Sequence, residues 1–511
     1  MRITKMSFKL SKTDYLVFCD CNKNAWMKIH KPEIYRAYPL SLFERNIIET
    51  GNIIDSLARD IFPDGILISS RNDEDYTNRL VMAKTKTIYQ PAFSTDRFAI
   101  ACDILVWNES KNAYDLYEVK SSSAGENDND RKDEDYHIDI AFQKIVLVER
   151  HLPFNKTFLV RLDRNYTRSG ALDLRALFII DDVTDTVNVI LKEVRNDMEN
   201  AYDVLSSARE PFGACSCITR GRSAHCTTFA HSNPDVPDYS VHDIARIGSS
   251  KKKLAELVDS GIFHIRDVPE DFELSEIQRN QIDSVIRGTP HIDRQGLQKF
   301  LGTFKYPLSF LDYETYPSAI PRFDGYHPYN QIPFQFSLHI LNKPGGKPEH
   351  HEFLYTAREC PDRYFAEALK KLLPNAGTIL VWNEKFEKGI NMQVAERLPE
   401  CADFMNNLNS RVIDLMIPFS GKKQSFVHPD FRGSASIKAV LPVLAPRLSY
   451  KKLHIQEGGS ASDTWNKIVT DQFDKKETKR KINALREYCC LDTLAMVEVF
   501  RYLDGLINPS E

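Results

Sequence analysis

The sequence predicts an α/β protein made of two large domains joined by a short helical connector. Three observations carry that expectation. A chain of 511 residues exceeds what one hydrophobic core ordinarily organises, while a hydrophobic content of 42% is ample for two. Short apolar runs such as Phe310–Leu311 and Thr378–Trp382 alternate with stretches of helical period. Over residues 231–305 the chain turns polar, with Pro234 and Pro237 opening a series of short helices. The expected boundaries are therefore 1–230, 231–305 and 306–511.

In the first domain, Ser11–Pro32 reads as a short helix carrying Cys19, Cys21 and Trp26. Ser41–Phe62 is an amphipathic helix with Ile47, Ile48, Ile53, Ile54, Leu57 and Ile61 on its apolar side, ended by Pro63-Asp64-Gly65. Phe98–Trp107, a polar turn over Asn108–Ala113, and Tyr114–Lys120 form a hairpin. If the turn closes symmetrically, Trp107 faces Tyr114 and Asp103 falls opposite Glu118, with Lys120 joining the same face two residues on. An acidic run, Ala124–Asp135, precedes a helix containing Asp139 and Gln143. Helix and strand then alternate through Asp181, and a long helix, Thr186–Arg209, leads to Cys215, Cys217 and Cys226. In the connector, Lys251–Arg266 reads as helix, turn at Gly261, and helix. It is a plain connector, with the look of a phosphate-binding helix-hairpin-helix as its rival.

In the second domain the strand Phe310–Glu314 ends in Asp312 and Glu314. Period-two alternation points both carboxylates to one face, where like charges repel unless a hard divalent cation lies between them. Gln331–Leu341 and Glu349–Tyr355 are strands that pair with it, and Pro361–Leu373 is a helix. Thr378–Trp382 is a buried strand leading into a helix on which Glu387 is a further acid. Near the end, Tyr488 and Asp492 share a helix face by their i, i+4 spacing. Arg322, His327, Lys438, Arg447, Lys451 and Lys452 could line the approach to these acids.

A formal net charge of -4 excludes a globally basic nucleic-acid coat, so any such binding must use local patches. No apolar run reaches the length of a membrane span and the N-terminus lacks a signal-peptide core, so a cytoplasmic location without membrane partners is expected. Ten cysteines in so long a chain are not a secreted disulfide framework, and a close group of them suggests metal.

Asp312-Tyr313-Glu314, then Glu387 after Asn383 and Phe386, then Tyr488-x3-Asp492 resemble, in order and placement, the DnaQ-like 3′ to 5′ exonucleases of the DEDDy type, which have an RNase H-like fold. The resemblance implies that Asp312, Glu314, Glu387 and Asp492 bind Mg2+ or Mn2+ and that Tyr488 positions the attacking water. That family usually ends its second motif in Asp where Glu387 stands here, and Asp414 is a rival for a supporting role. Asp103, Glu118 and Lys120 resemble the PD-(D/E)XK nucleases of the RecB-like branch, which have a restriction-endonuclease-like fold. This implies that Asp103 and Glu118 bind Mg2+ or Mn2+, that Lys120 orients or activates water, and that Gln143 is the branch's helical glutamine. Leu147 stands where that motif usually adds a tyrosine, and either Asp55 or Glu49 could complete the metal shell. One early and three late cysteines resemble the iron-sulfur members of the branch, including CRISPR-associated and AddB-type nucleases. The implied ligands of a [4Fe-4S] cluster are Cys21, Cys215, Cys217 and Cys226, with Cys19 competing with Cys21. Zinc is the alternative, since four thiolates suit either.

With Ile332-Pro333-Phe334-Gln335 and Gly433-Ser434-Ala435-Ser436-Ile437-Lys438 added, nearly the full length resembles an uncharacterised bacterial family joining an iron-sulfur RecB-like nuclease domain to an RNase H-like domain. The implied activity is a metal-dependent DNA exonuclease with two active sites, acting on single-stranded DNA or duplex ends. DNA repair or phage (antiviral) defence is the setting by analogy. The alternatives are a nucleic-acid-binding protein with one active nuclease domain, or an exonuclease directed at RNA. No helicase or Walker-type motif occurs, so unwinding would fall to a separate helicase, and a defence partner is a further expectation.

Overall fold

The computed structural model describes residues 8–36, 42–70, 73–124, 130–421 and 424–508. It is a mixed α/β protein whose residues fall into two compact units. The first takes in the chain through Ile218 together with Ala224–Pro234 and Ala319–Tyr329. The second holds Thr219–Ser223, Asp235–Ser318 and the chain from Asn330 onward. Residues 235–305, read as a connector, thus group with the second unit, and a piece of the expected C-terminal domain groups with the first.

The first unit begins with two short helices, α1 (Lys12–Asp20) and α2 (Asn22–His30), which replace the expected single one and meet at Cys21. Helix α3 (Leu42–Arg59) follows, and only part of its apolar stripe is used. Ile54 is buried, whereas Ile47, Ile48 and Ile53 are exposed. A six-stranded sheet runs in chain order: β1 (Ile66–Leu67), β2 (Thr87–Tyr89), β3 (Ile104–Asn108), β4 (Ala113–Ala124), β5 (Phe154–Asp163) and β6 (Phe178–Asp182). Trp107 faces Tyr114 and Ile104 faces Tyr117, the register that symmetric closure predicts. The strand expected over Phe98–Trp107 is broken at Cys102-Asp103, because Phe98–Ala101 pairs instead with Ala92–Ser94 and Leu10–Ser11 in a separate small sheet. Helices α4 (Asp130–Glu149) and α5 (Thr184–Ser206) bury Phe142, Val146, Val194 and Met198 in the main core. The acidic run before α4 lies partly outside the described residues.

In the second unit, α6 (Lys251–Asp259) is followed by the Gly261 turn and then by a single 3-10 turn, Ile265–Asp267, so the expected second helix of that pair is absent there. Beyond α7 (Glu276–Arg287), five strands form a sheet in the order β9-β8-β7-β10-β11. They are β7 (Leu308–Pro317), β8 (Gln331–Leu341), β9 (Glu349–Leu354), β10 (Thr378–Val381) and β11 (Val412–Asp414). Strands β7, β8 and β9 are antiparallel neighbours, and β7, β10 and β11 run parallel. Alternation along β7 feeds two cores. Leu311 and Tyr313 pack with α8 (Asp362–Leu372) and α9 (Glu384–Arg397), while Leu308 and Phe310 meet Met496, Val497 and Phe500 of the long final helix. Helices α10 (Ala402–Arg411), α11 (Ile437–Leu444), α12 (Gly458–Val469) and α13 (Lys475–Ile507) complete the unit. Among the described residues no helix is long and apolar enough to cross a membrane.

Gly433 has φ +75°, and a Cβ there would lie 2.1 Å from the Asp243 carbonyl oxygen. Gly345, at φ +68°, faces open space. Gly345→Ala should cost about 1–2 kcal/mol, the left-handed penalty alone. Gly433→Ala should cost about 1–3 kcal/mol more because packed backbone must move. Urea denaturation of the two variants checks the difference.

Candidate functional sites

In the second unit the acids gather at the carboxyl ends of the parallel strands β7 and β10. Asp312 and Glu314 follow Phe310 on one face of β7, and α13, which packs Phe500 on Phe310, lays Cys489 and Asp492 over them. A ligand atom from each of Asp312, Glu314 and Cys489 lies within 4.8 Å of the others. Helix α9 starts after Asn383, a left-handed residue (φ +85°) that turns the chain sharply out of β10. Its buried side carries Glu387, Ile390, Asn391 and Val394 at helical spacing, and Tyr313 donates to Asn391 Oδ1 at 3.0 Å.

The four acids repel one another. Burial, then Asp492, Glu314 and Glu387, raise the Asp312 carboxyl well above its ordinary value, and burial followed by Asp492 does the same for Glu314. Burial lifts Asp492 to about 6 and Glu387 to about 8. Glu387 Oε2 is buried without a hydrogen-bond partner. Among the described residues no basic nitrogen lies within ion-pair distance of the four. Lys438 acts on Glu314 and Asp492 through space, from above the rings of Tyr450 and Tyr488 at 5.8 and 5.9 Å. Buried carboxylates with unused lone pairs and no cation fit one or two hard divalent ions.

The rival acid Asp414 has a structural occupation. It accepts from the backbone N–H groups of Asn383 at 3.1 Å, Glu384 at 3.3 Å and Met416 at 2.9 Å, and so caps α9. Tyr450, which the sequence did not single out, donates to Asp492 Oδ1 at 2.6 Å. Cys489 was likewise missed, although it adjoins Tyr488 on the same helix. Of the expected basic approach, Lys438 acts on the acids, Arg447 pairs with Glu498, and Lys451 and Lys452 are exposed. Arg322 and His327 belong to the first unit.

The first unit assembles a different centre. Asp103 Oδ2 accepts from the Val119 N–H at 2.8 Å, which fixes it beside Glu118 across the hairpin. Glu118 accepts from Lys120 at 2.7 Å, from Lys12 at 2.9 Å and from Gln143 Nε2 at 2.8 Å. Asp139, one helical turn before Gln143, accepts from Gln143 at 3.0 Å and pairs with Lys12 at 3.1 Å and with Lys120. Burial opposes ionisation of Glu118, but Lys12 and Lys120 outweigh it and hold the carboxyl below its ordinary range. Burial likewise opposes the charge on Lys120, and Glu118 and Asp139 outweigh it. Asp103 is raised to about 7 by burial and by Glu118. Gln90 Nε2 lies 3.4 Å from both Asp103 and Asp55, so Asp55 is the helix acid tied to this centre, whereas Glu49 is exposed. The i, i+4 relation to Gln143 could have revealed Asp139; Lys12, far away in the chain, gives no local signal.

Cys21, Cys215, Cys217 and Cys226 bring their sulfurs within 4.8 Å of one another, while Cys19 is exposed and stands apart. Helix α2 organises the group. Trp26 donates to the Ser207 carbonyl at 2.9 Å, Lys23 to that of Gly213 at 2.6 Å, and Thr227 and Thr228 donate to Asn24 at 3.0 and 2.9 Å. The loop is thereby drawn over the start of α2, where Cys21 sits. Asn233 Nδ2 donates to Cys215 Sγ at 3.2 Å, the kind of outer bond that supports a metal-bound thiolate. Hydrogen bonds from the Cys215, Cys217 and Cys226 thiols depress the Cys21 thiol. The cluster could hold a metal.

The raised acids predict a pH dependence. Between the ordinary values of 3.8 for Asp and 4.5 for Glu and the raised values of about 6 for Asp492, 7 for Asp103 and 8 for Glu387, the folded chain binds more protons than the unfolded one. Stability therefore falls as pH rises through that window, and Asp312 and Glu314, raised well above their ordinary values, carry the fall beyond it. Glu118, shifted the other way, acts only below its ordinary value of 4.5. In EDTA the melting temperature should drop by several degrees from pH 5 to pH 8, Glu387→Gln should flatten the slope, and Mn2+ should restore stability at pH 8 more than at pH 5. Thermal melts at the two pH values check all three.

Residues 309–436, which include Asp312, Glu314 and Glu387, match a domain of unknown function, DUF2779. The chain is similar to the uncharacterised protein UU173 of Ureaplasma parvum serovar 3, 26% identical over 227 residues, covering 40% of this chain and 32% of that protein. It is similar to the uncharacterised protein MG366 of Mycoplasma genitalium, 22% identical over 218 residues, again 40% and 32% of the two chains. Its homolog in Mycoplasma pneumoniae matches at 24% over 221 residues, 39% of this chain and 32% of that protein. The match spans about a third of the length of these curated relatives. No solved structure matches the chain at a significant level.

Proposed function

We propose that this chain is a divalent-metal-dependent nuclease whose principal active site is built from Asp312, Glu314, Glu387 and Asp492. The observation that carries the reading is the convergence of four acids on one end of a sheet with no cation in ion-pair contact among the described residues. Mg2+ or Mn2+ held there would activate water and neutralise charge on a scissile phosphate. The chain's own groups supply the rest. Tyr450 fixes the Asp492 carboxylate, and Tyr488, kept protonated by burial and by Asp492, presents an O–H to orient water or a phosphate oxygen. Lys438 adds positive charge beside the acids. The strand order, with an antiparallel three-strand edge followed by two parallel strands, supports the RNase H-like reading, and DNA trimmed from its 3′ end is the substrate taken from the DEDDy resemblance.

For the first unit we infer a PD-(D/E)XK-like centre of Asp103, Glu118, Lys120 and Gln143. One observation favours a second reading there, a site that grips nucleic acid without cutting it. Glu118 is already neutralised by Lys12 and Lys120, so a metal would have to displace an ammonium group.

End-labelled single-stranded and duplex DNA and RNA, incubated with the full chain in Mg2+, Mn2+ or EDTA, test both. Asp312→Asn should lower 3′ trimming by at least about a hundredfold. Lys120→Ala should remove a second activity, distinguishable by end preference, if the first centre cuts, and should only weaken binding if it grips. Metal-dependent 3′ trimming that survives Asp312→Asn intact, or no cleavage of any substrate, overturns the principal assignment.

For the cysteines, a tetrahedral ion with bonds of about 2.3 Å holds its sulfurs about 3.8 Å apart, and a four-iron cluster holds them further apart. The observed spacing favours zinc over [4Fe-4S]. Purified protein should be colourless, with one zinc tightly held by these four sulfurs. Cys21→Ser should lose that ion and melt at lower temperature, and Cys19→Ser should keep both. Brown protein containing iron returns the cluster reading.

A further inference from the structure

We propose that His339, His350 and Cys490 form a further site, for a single borderline-soft divalent ion of the zinc class, on the flank of α13 that faces β8 and β9. His339 on β8 and His350 on β9 are direct cross-strand partners, so their imidazoles leave the sheet on the same face, with ring centroids 4.5 Å apart. Cys490 comes down on them from α13, and one ligand atom from each of the three lies within 4.8 Å of the others. A zinc ion with bonds of about 2.0–2.3 Å spaces tetrahedral ligands by about 3.5 Å, so closure needs only a small inward movement of side chains.

The surroundings are those of a metal site. A ligating imidazole normally engages its other nitrogen with a fixed polar group, which sets the tautomer and the ring orientation. Here His339 Nδ1 bonds Thr493 Oγ1 at 2.8 Å and His350 Nε2 bonds Ser337 Oγ at 3.0 Å. The two hydroxyls are buried and bond each other at 2.7 Å. His339 Nε2 and His350 Nδ1 are left for the ion. One thiolate and two imidazoles suit zinc or copper rather than magnesium, so the site differs in chemistry from the all-oxygen acid site. His350 is exposed, which leaves a fourth position open to water. Cys489 and Cys490 are successive residues on one helix, the first facing the acids and the second the imidazoles. An ion at the second place would pin to β8 and β9 the helix that carries Tyr488 and Asp492.

The test is metal stoichiometry on the full chain, independent of any activity. Protein is stripped with chelator, reloaded with Zn2+ and desalted, and metal is measured for wild type, His350→Ala, Cys490→Ser and Asp312→Asn; Co2+ absorbance is recorded in parallel. Wild type and Asp312→Asn should hold one equivalent more than either of the other two, whose Co2+ spectra should lose a single-thiolate band. Thr493→Val should weaken that equivalent about 10–100-fold. Melting temperatures in EDTA show that the variants fold, and His350, being exposed, is the safer substitution. Wild-type stoichiometry in either His350→Ala or Cys490→Ser overturns the three-ligand site.

Discussion

Like charges held together out of water are expensive, and Asp312 and Glu314 impose that cost on everything packed around them. The strand offers no escape, because Phe310 and Leu308 on the same face anchor it against Met496, Val497 and Phe500. Once that packing is made, the next residues along that face must be acids facing α13. The helix cannot answer with a lysine in contact; it answers with a thiol, a phenol and another acid. Glu387 arrives on a helix whose start is fixed by the capping role of Asp414. The geometry is thus settled by apolar contacts some distance from the charge, and the charge is left for a ligand to resolve.

The other centre resolves the same problem internally. Glu118 and Asp139 are as deeply buried as Glu387, yet two ammonium groups and an amide meet them. A charge paired in this way gains conformational definition, and breaking the pair by removing one partner costs far more than the pair contributes. The two units therefore differ in kind: one stores electrostatic tension and the other has discharged it.

Much of this was legible in the sequence where a local rule operates. The hairpin register followed from Trp107 and Tyr114 alone, and the common face of Asp312 and Glu314 from strand period. Choices between near neighbours were not legible. Cys19 and Cys21 are two residues apart, and only the bonds of Asn24 and Trp26 to distant loops decide which one meets the other thiols. Asp414 could not be told from a metal ligand until its three backbone donors were visible. Lys12 lies 106 residues from Glu118, and nothing in its surroundings announces the pairing. The break at Cys102-Asp103 was hidden because both halves have strand composition and differ only in their partners.

The segment Ala319–Tyr329 lies between β7 and β8 yet is part of the first unit. Arg168 Nη1 donates to the carbonyls of Pro321 and Arg322 at 2.9 Å, its backbone N–H donates to the Tyr326 carbonyl at 3.0 Å, and Gly170 donates to Asp324 at 2.8 Å. Ala319 and Ile320 also join the apolar cluster of Ile54, Leu162 and Tyr166. A chain emerging from the ribosome therefore cannot finish its first unit until nearly a hundred residues past Cys226 have been made, by which time β7 of the second has already been synthesised. Neither unit is a contiguous length of chain, and a gene cut anywhere in the connector yields an N-terminal fragment missing one of its own walls.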